Sequence, residues 1–103
     1  MKKFAILCLT SLFILSTAAF AAAQVTIQLS HDLPEDTPQH MGSLKFKEIV
    51  ESNSGGEITV EVFPAGQLGS DIETVELMQI GSIQASLVPT AKLSGFDPTL
   101  QIA

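Results

Sequence analysis

Val25-Thr26-Ile27-Gln28-Leu29-Ser30 alternates apolar and polar side chains, the period of a strand with one buried face. The next stretch, His31-Asp32-Leu33-Pro34-Glu35-Asp36, is marked as a loop by its proline and its acids. Thr37-Pro38 then supplies an N-cap and a proline at the first helical position, so a helix should begin there. Gly42, Phe46, Ile49 and Val50 recur at i, i+4, i+7 and i+8 and should form its buried face. Asn53-Ser54-Gly55-Gly56 should end it, a glycine taking the left-handed cap. A second strand is expected over Ile58-Thr59-Val60-Glu61-Val62-Phe63, with Ile58, Val60 and Val62 on one face. Pro64-Ala65-Gly66-Gln67-Leu68-Gly69 turns the chain, and Ser70-Asp71-Ile72-Glu73 fits a capping box. The helix it opens should run to about Ile80 and close at Gly81. Ile83-Gln84-Ala85-Ser86-Leu87-Val88 reads as a third strand, ended by Pro89. Strand-helix-strand-helix-strand predicts an α/β fold with a largely parallel sheet and right-handed crossovers.

The first residues follow a different pattern. Met1-Lys2-Lys3 is a short positive segment, followed by a mostly apolar run from Phe4 to Leu15 and then by small residues ending in Ala21-Ala22-Ala23. That order is the tripartite pattern of a bacterial secretory signal peptide over residues 1–23, cut before Gln24, with Ala19-Phe20-Ala21 as a second cleavage motif. Thr10, Ser11, Ser16 and Thr17 interrupt the run, which is short of the roughly 20 apolar residues of a membrane span. An uncleaved anchor is the alternative reading. Cys8 lies inside the apolar run and not at its end, where a lipid-modified cysteine would stand. Export to the periplasm is the expectation.

Composition then narrows the classes. A chain of 103 residues holds one domain at most, or part of one. Removing the leader leaves Lys45, Lys47 and Lys92 against all 11 acids, and no arginine occurs anywhere. Phosphate recognition needs clustered cations, so this balance argues against nucleic acid as a partner. The single cysteine rules out a disulfide framework, and its loss with the leader suits an oxidising compartment. Two helices scarcely cover both faces of three parallel strands, and Thr99-Leu100-Gln101-Ile102-Ala103 is an apolar stretch without a polar tail. Residues 24–103 are therefore expected to be part of a lobe, not a finished domain.

His31 and Asp32 follow the first strand, at the carboxyl end where parallel α/β sheets place ligands. His40, in the first turn of the first helix, is expected to be exposed. A metal held by both histidines and the nearby acids would match no common ligand spacing. Ser30, Ser70 and Ser86 lack the G-x-S-x-G setting of a nucleophile. Gly66-Gln67-Leu68-Gly69 lacks both the G-K-[ST] and the G-x-G-x-x-G of a phosphate loop. Neither an enzyme nor a cofactor is implied.

Several segments resemble the amino-terminal part of the DctP family, the periplasmic solute receptors of TRAP transporters. They are Ser54-Gly55-Gly56-Glu57-Ile58, the run from Val60 to Asp71 that contains Phe63-Pro64-Ala65-Gly66-Gln67-Leu68-Gly69, and Glu76-Leu77-Met78-Gln79-Ile80-Gly81-Ser82-Ile83. The opening strand, the loop from His31 to Pro38, and Phe46-Lys47-Glu48 are similar to the family's start. The resemblance implies a two-lobed α/β receptor that closes on a small organic anion, often a carboxylate, and hands it to membrane permease subunits driven by an ion gradient. It places Asp32 and Asp71 at ligand-cleft positions, with Val88-Pro89-Thr90 on a cleft-lining stretch. Sialic-acid relatives carry an acid where Pro89 stands here. The family's carboxylate-binding arginine would lie beyond residue 103. With His31 added from its place after the first strand, the candidate substrate-binding set is His31, Asp32, Asp71, Pro89 and Thr90. Two rival readings are a sensor-type solute-binding module and a short exported α/β domain that pairs with itself through an open sheet edge.

Overall fold

Residues 24–102 are described by the computed structural model, so the expected leader, residues 1–23, lies outside them. Strand β1, Val25–Ser30, is central, with β2 (Ile58–Phe63) on one side and β3 (Ala85–Ser86) on the other. Both pairings are parallel, as expected. β1 and β2 run in step from Val25 opposite Ile58 to Ser30 opposite Phe63, while β3 meets only Leu29 and Ser30. All three strands therefore finish at one end of the sheet.

The third strand is shorter than its sequence predicts. The Gln28 N–H donates 2.9 Å to the side-chain Oε1 of Gln84, where a longer ladder would have used a backbone carbonyl. Ile83 is buried but outside the strand. Beyond β3 the chain coils into two 3₁₀ helices, Thr90–Gly95 and Pro98–Ile102.

The local helix signals act as anticipated. In α1, Pro38–Asn53, Thr37 caps the start by accepting from the His40 N–H, and Pro38 occupies the first turn. Ser54 and Gly55, the latter at φ 63°, close it. Helix α2, Asp71–Gln79, begins with the capping box: the Glu73 N–H donates to Ser70 Oγ, and the Ser70 N–H donates to Glu73 Oε2. Gly69 makes this box fit. It sits at φ 120°, and a Cβ there would come within 3.0 Å of Glu73 Oε2.

The face of α1 that meets the sheet is not the expected one. His40 and Ser43 are buried, whereas Phe46 and Ile49 are 42% and 47% exposed. The packed side is polar because it serves the outer edge of β2. Lys47 Nζ donates 2.6 Å to the Val60 carbonyl, and Glu51 Oε1 accepts from the Val60 N–H at 2.9 Å. Two residues earlier on the same edge, Ser54 Oγ accepts from the Ile58 N–H at 3.1 Å. An edge strand normally offers such groups to another chain. Here a helix fills them, which disfavours self-pairing at β2.

A graded effect on stability follows. Lys45–Glu48 and Lys47–Glu51 are both ion pairs one turn apart on α1. In the intact protein Glu51→Ala should lower Tm by several degrees, because it strips a partner from a backbone amide. Glu48→Ala, in a pair whose side chains are 63% and 67% exposed, should leave Tm within error. Equal shifts in thermal melts of the two variants would refute the clamp.

Candidate functional site

The loops that leave β1 and β2 are tied to one another before either reaches its helix. The His31 N–H donates to the Phe63 carbonyl, the Gly66 N–H to the His31 carbonyl, and the Ala65 N–H to the Leu33 carbonyl, at 3.1, 3.0 and 2.9 Å. Pro64 to Gln67 form a tight turn in which Ala65 and Gly66 both have positive φ, 54° and 69°. A glycine adopts that conformation at no steric cost, which explains Gly66, while Ala65 bears it with a Cβ. The turn brings Ser70 and α2 back over the carboxyl end of β1.

Asp71 is the first residue of α2 and only 3% exposed. A chain of hydroxyls holds its backbone in place. Thr74 Oγ1 donates to the Asp71 carbonyl and lies 2.9 Å from Ser86 Oγ, which donates to the Ser30 carbonyl. Helix α2 is thereby fixed to β3 and β1 through polar groups.

Asp71 and Asp32, the two acids expected at the cleft, are brought together by a lysine. Lys92 Nζ lies 2.5 Å from Asp71 Oδ2 and 3.1 Å from Asp32 Oδ2. The Asp71 carboxylate, and then that of Asp32, raises the Lys92 pKa, so the ammonium keeps its charge. Pro89 and Thr90 are exposed and start the 3₁₀ helix that carries Lys92, whose N–H donates to the Pro89 carbonyl at 3.0 Å. This cation lies two residues beyond the Val88-Pro89-Thr90 stretch to which the sequence points. One signal was available: Lys92 is the only lysine of residues 24–103 outside α1.

His31 is placed behind the strand end, 1% exposed, with Nε2 3.0 Å from His40 Nδ1. His40 is buried as well, contrary to expectation, because the first turn of α1 aims it at the strand end. One ring must donate and the other accept, so the pair cannot hold a proton on both facing nitrogens. His31 Nδ1 and Ser30 Oγ are buried without a hydrogen-bond partner. Among the described residues no group of three or more His, Cys, Asp or Glu is arranged to hold a metal ion.

Burial, and then the neighbouring His40, lower the His31 pKa, while the Leu33 backbone and Asp32 act in the opposite sense. The unfolded chain therefore binds the proton more readily. The stability from a neutral His31 is complete above the ordinary value of about 6.5. It is lost as pH falls from there through the lower folded-state value. Melting temperatures measured between neutral and mildly acidic pH should decline, and His31→Gln should flatten that decline. An unchanged slope in the variant would assign it to other groups.

Residues 29–103 match the family described as bacterial extracellular solute-binding protein, family 7, or DctP. The chain belongs to the DctP family. Its DctP-family relatives include the C4-dicarboxylate-binding protein DctB of Bacillus subtilis, 41% identical over 75 residues, which are 73% of this chain and 21% of that protein. The C4-dicarboxylate-binding periplasmic protein DctP of Rhodobacter capsulatus is 36% identical over 89 residues, or 86% of this chain and 26% of that one. The chain thus spans about a quarter or less of the length of these curated relatives. A TRAP periplasmic solute-binding protein from Anaerococcus prevotii, solved with bound D-glucuronate, superposes with a TM-score of 0.73 at 33% identity. That match covers 77% of this chain and 26% of the other. The parallel sheet and its helices are one portion of the two-lobed DctP fold. These relatives are solute-binding proteins, not enzymes.

Proposed function

We propose that this chain is the amino-terminal part of an extracytoplasmic receptor that captures a small organic anion, a carboxylate, for an ion-gradient-driven TRAP permease. The observation that carries the reading is the convergence of Asp32, Asp71 and Lys92 at the carboxyl end of a parallel sheet. Dicarboxylate binding by the Bacillus and Rhodobacter relatives and glucuronate in the Anaerococcus structure support the ligand class. Residues 1–23 would direct export to the periplasm and be removed before Gln24. Asp32, Asp71, Pro89 and Thr90 would line this lobe's side of the cleft, with His31 setting the strand end from behind.

The mechanism is differential binding. A ligand that touches both lobes lowers the free energy of the closed state, and the permease would read that closure. The test is calorimetric titration of the complete protein, translated from the whole reading frame, with succinate, malate, gluconate, glucuronate and hexanoate. Saturable binding of at least one acid, at about micromolar Kd or tighter, is expected. No binding by any of them would sink the receptor reading.

A further inference from the structure

We infer that His31 and His40 form an acid-sensitive latch that holds the Asp32 loop in place, so that ligand affinity fails once both facing ring nitrogens must carry protons. The inference rests on the receptor reading and adds a regulation to it.

The latch is built into the interior. His31 is 1% and His40 8% exposed, with Nε2 of the first 3.0 Å from Nδ1 of the second. Among the described residues no other side-chain hydrogen bond joins α1 to residues 31–33. The backbone of that segment is laced to the turn after β2, the His31 carbonyl accepting from Gly66 and the Leu33 carbonyl from Ala65. Asp32 lies between those two ties and reaches Lys92 from there. Whatever expels the His31 ring therefore pulls on the loop that positions Asp32.

Proton counting sets the threshold. With both rings neutral, one facing nitrogen donates and the other accepts. A first added proton goes to the outer nitrogen of the donating ring and leaves the bond intact. A second sets N–H against N–H and places two like charges side by side in a buried site. Burial already holds the His31 pKa below its ordinary value.

The surrounding groups do not relieve that conflict. Asp32, next in the chain, favours a charged His31, but its carboxylate already faces Lys92 of the first 3₁₀ helix. Asp71 of α2 is held by the same lysine. The turn from Pro64 to Gly69 and the segment from Ala85 to Pro89 carry no acid, histidine or lysine. On α1, Lys45 pairs with Glu48 and Lys47 with Glu51, while Glu35 and Asp36 are exposed on the loop before it. An extra positive charge acting only as a charge would draw an anion closer. An opened latch does the reverse, so the direction of the pH effect separates the two.

Calorimetric titration of the complete protein across pH is the test, using whichever of succinate, malate, gluconate and glucuronate binds tightest at neutral pH. Kd should hold steady above about pH 6.5 and weaken below it, by up to about tenfold per pH unit for one linked proton. His40→Asn sets an amide in place of Nδ1, able to donate to a neutral His31 or accept from a charged one. Its affinity should lose most of that pH dependence. Ionisation of the added acid cancels in the ratio of the two proteins. Parallel profiles, or an affinity that rises in acid, would overturn the latch and leave the receptor reading standing. If His40→Asn does not fold, ring NMR of the unaltered protein decides: His31 must take its proton below the ordinary value, in step with the loss of affinity. A His31 that titrates at its ordinary value would also overturn the latch. No binding by any of the acids at neutral pH would overturn the receptor reading and the latch with it.

Discussion

Produced on its own, the segment of residues 24–103 will melt without a sharp cooperative transition and will bind a hydrophobic dye in native buffer. Among the described residues only Leu29, Val60 and Ile83 are buried apolar side chains. Ser30, His31, His40, Ser43, Asp71 and Thr74 share the interior, and polar groups gain little beyond what water offered them. Met41, Phe46, Ile49, Ile72, Ile80 and Phe96 are all at least 40% exposed. Leu29, Gly42, Phe46 and Leu87 line an open, mostly apolar groove of about 400 Å³. Burial of apolar area is the main favourable term in folding, and so small a core scarcely offsets the entropy of ordering the chain. Within the complete protein the same residues should melt as part of a cooperative unit. Calorimetry and dye fluorescence on the two samples decide the matter. A single sharp endotherm without dye binding from the short segment would favour the rival reading of a self-sufficient exported domain.

Val60→Asp in the complete protein will abolish soluble folded material, whereas Glu61→Ala beside it will change stability by about 0.5 kcal/mol or less. Val60 is 0% exposed, opposite Ile27 in the β1–β2 register, and its backbone is the one held by Lys47 and Glu51. An aspartate there would put an unpaired carboxylate into the buried core, at a cost of several kcal/mol. That is comparable to the roughly 5–15 kcal/mol by which domains are stable at all. Glu61 is exposed on the other face of the same strand. Val60→Ala separates packing from charge and should cost about 2 kcal/mol. Urea midpoints of the alanine variants and soluble yield of the aspartate variant are the measurements. A folded Val60→Asp protein with an unshifted midpoint would mean that this position is not core.

Local chemistry was legible wherever a few neighbouring residues decide it. Thr37-Pro38 started α1 and Ser70 with Glu73 started α2, because a cap is a contact across one helical turn. The strands of β1 and β2 appeared where their alternation put them. His40 is buried against His31 and not exposed, since an early helical position says nothing of which strand end it meets. The stripe of Gly42, Phe46, Ile49 and Val50 predicts a buried face that Phe46 and Ile49 do not form, because periodicity marks an apolar face without naming what lies against it. The third strand shrank because a side chain, Gln84, took up a backbone donor, a substitution no propensity reports.

The sequence alone determined the α/β order of elements, the caps and turns that bound them, the acidic arginine-free composition, and the family through Phe63-Pro64-Ala65-Gly66-Gln67-Leu68-Gly69. Apart from composition, each of these is written in residues close together in the chain. Tertiary structure alone decided that Asp32, Asp71 and Lys92 form one cluster, although Lys92 lies 60 residues from Asp32 and 21 from Asp71. It likewise decided that Lys47 and Glu51 close the edge of β2 and do not simply decorate a solvated helix face. The physical reason is common to both. A charge acquires its role from the groups that lie within hydrogen-bonding distance, and in a parallel sheet those groups arrive through crossovers from distant parts of the chain.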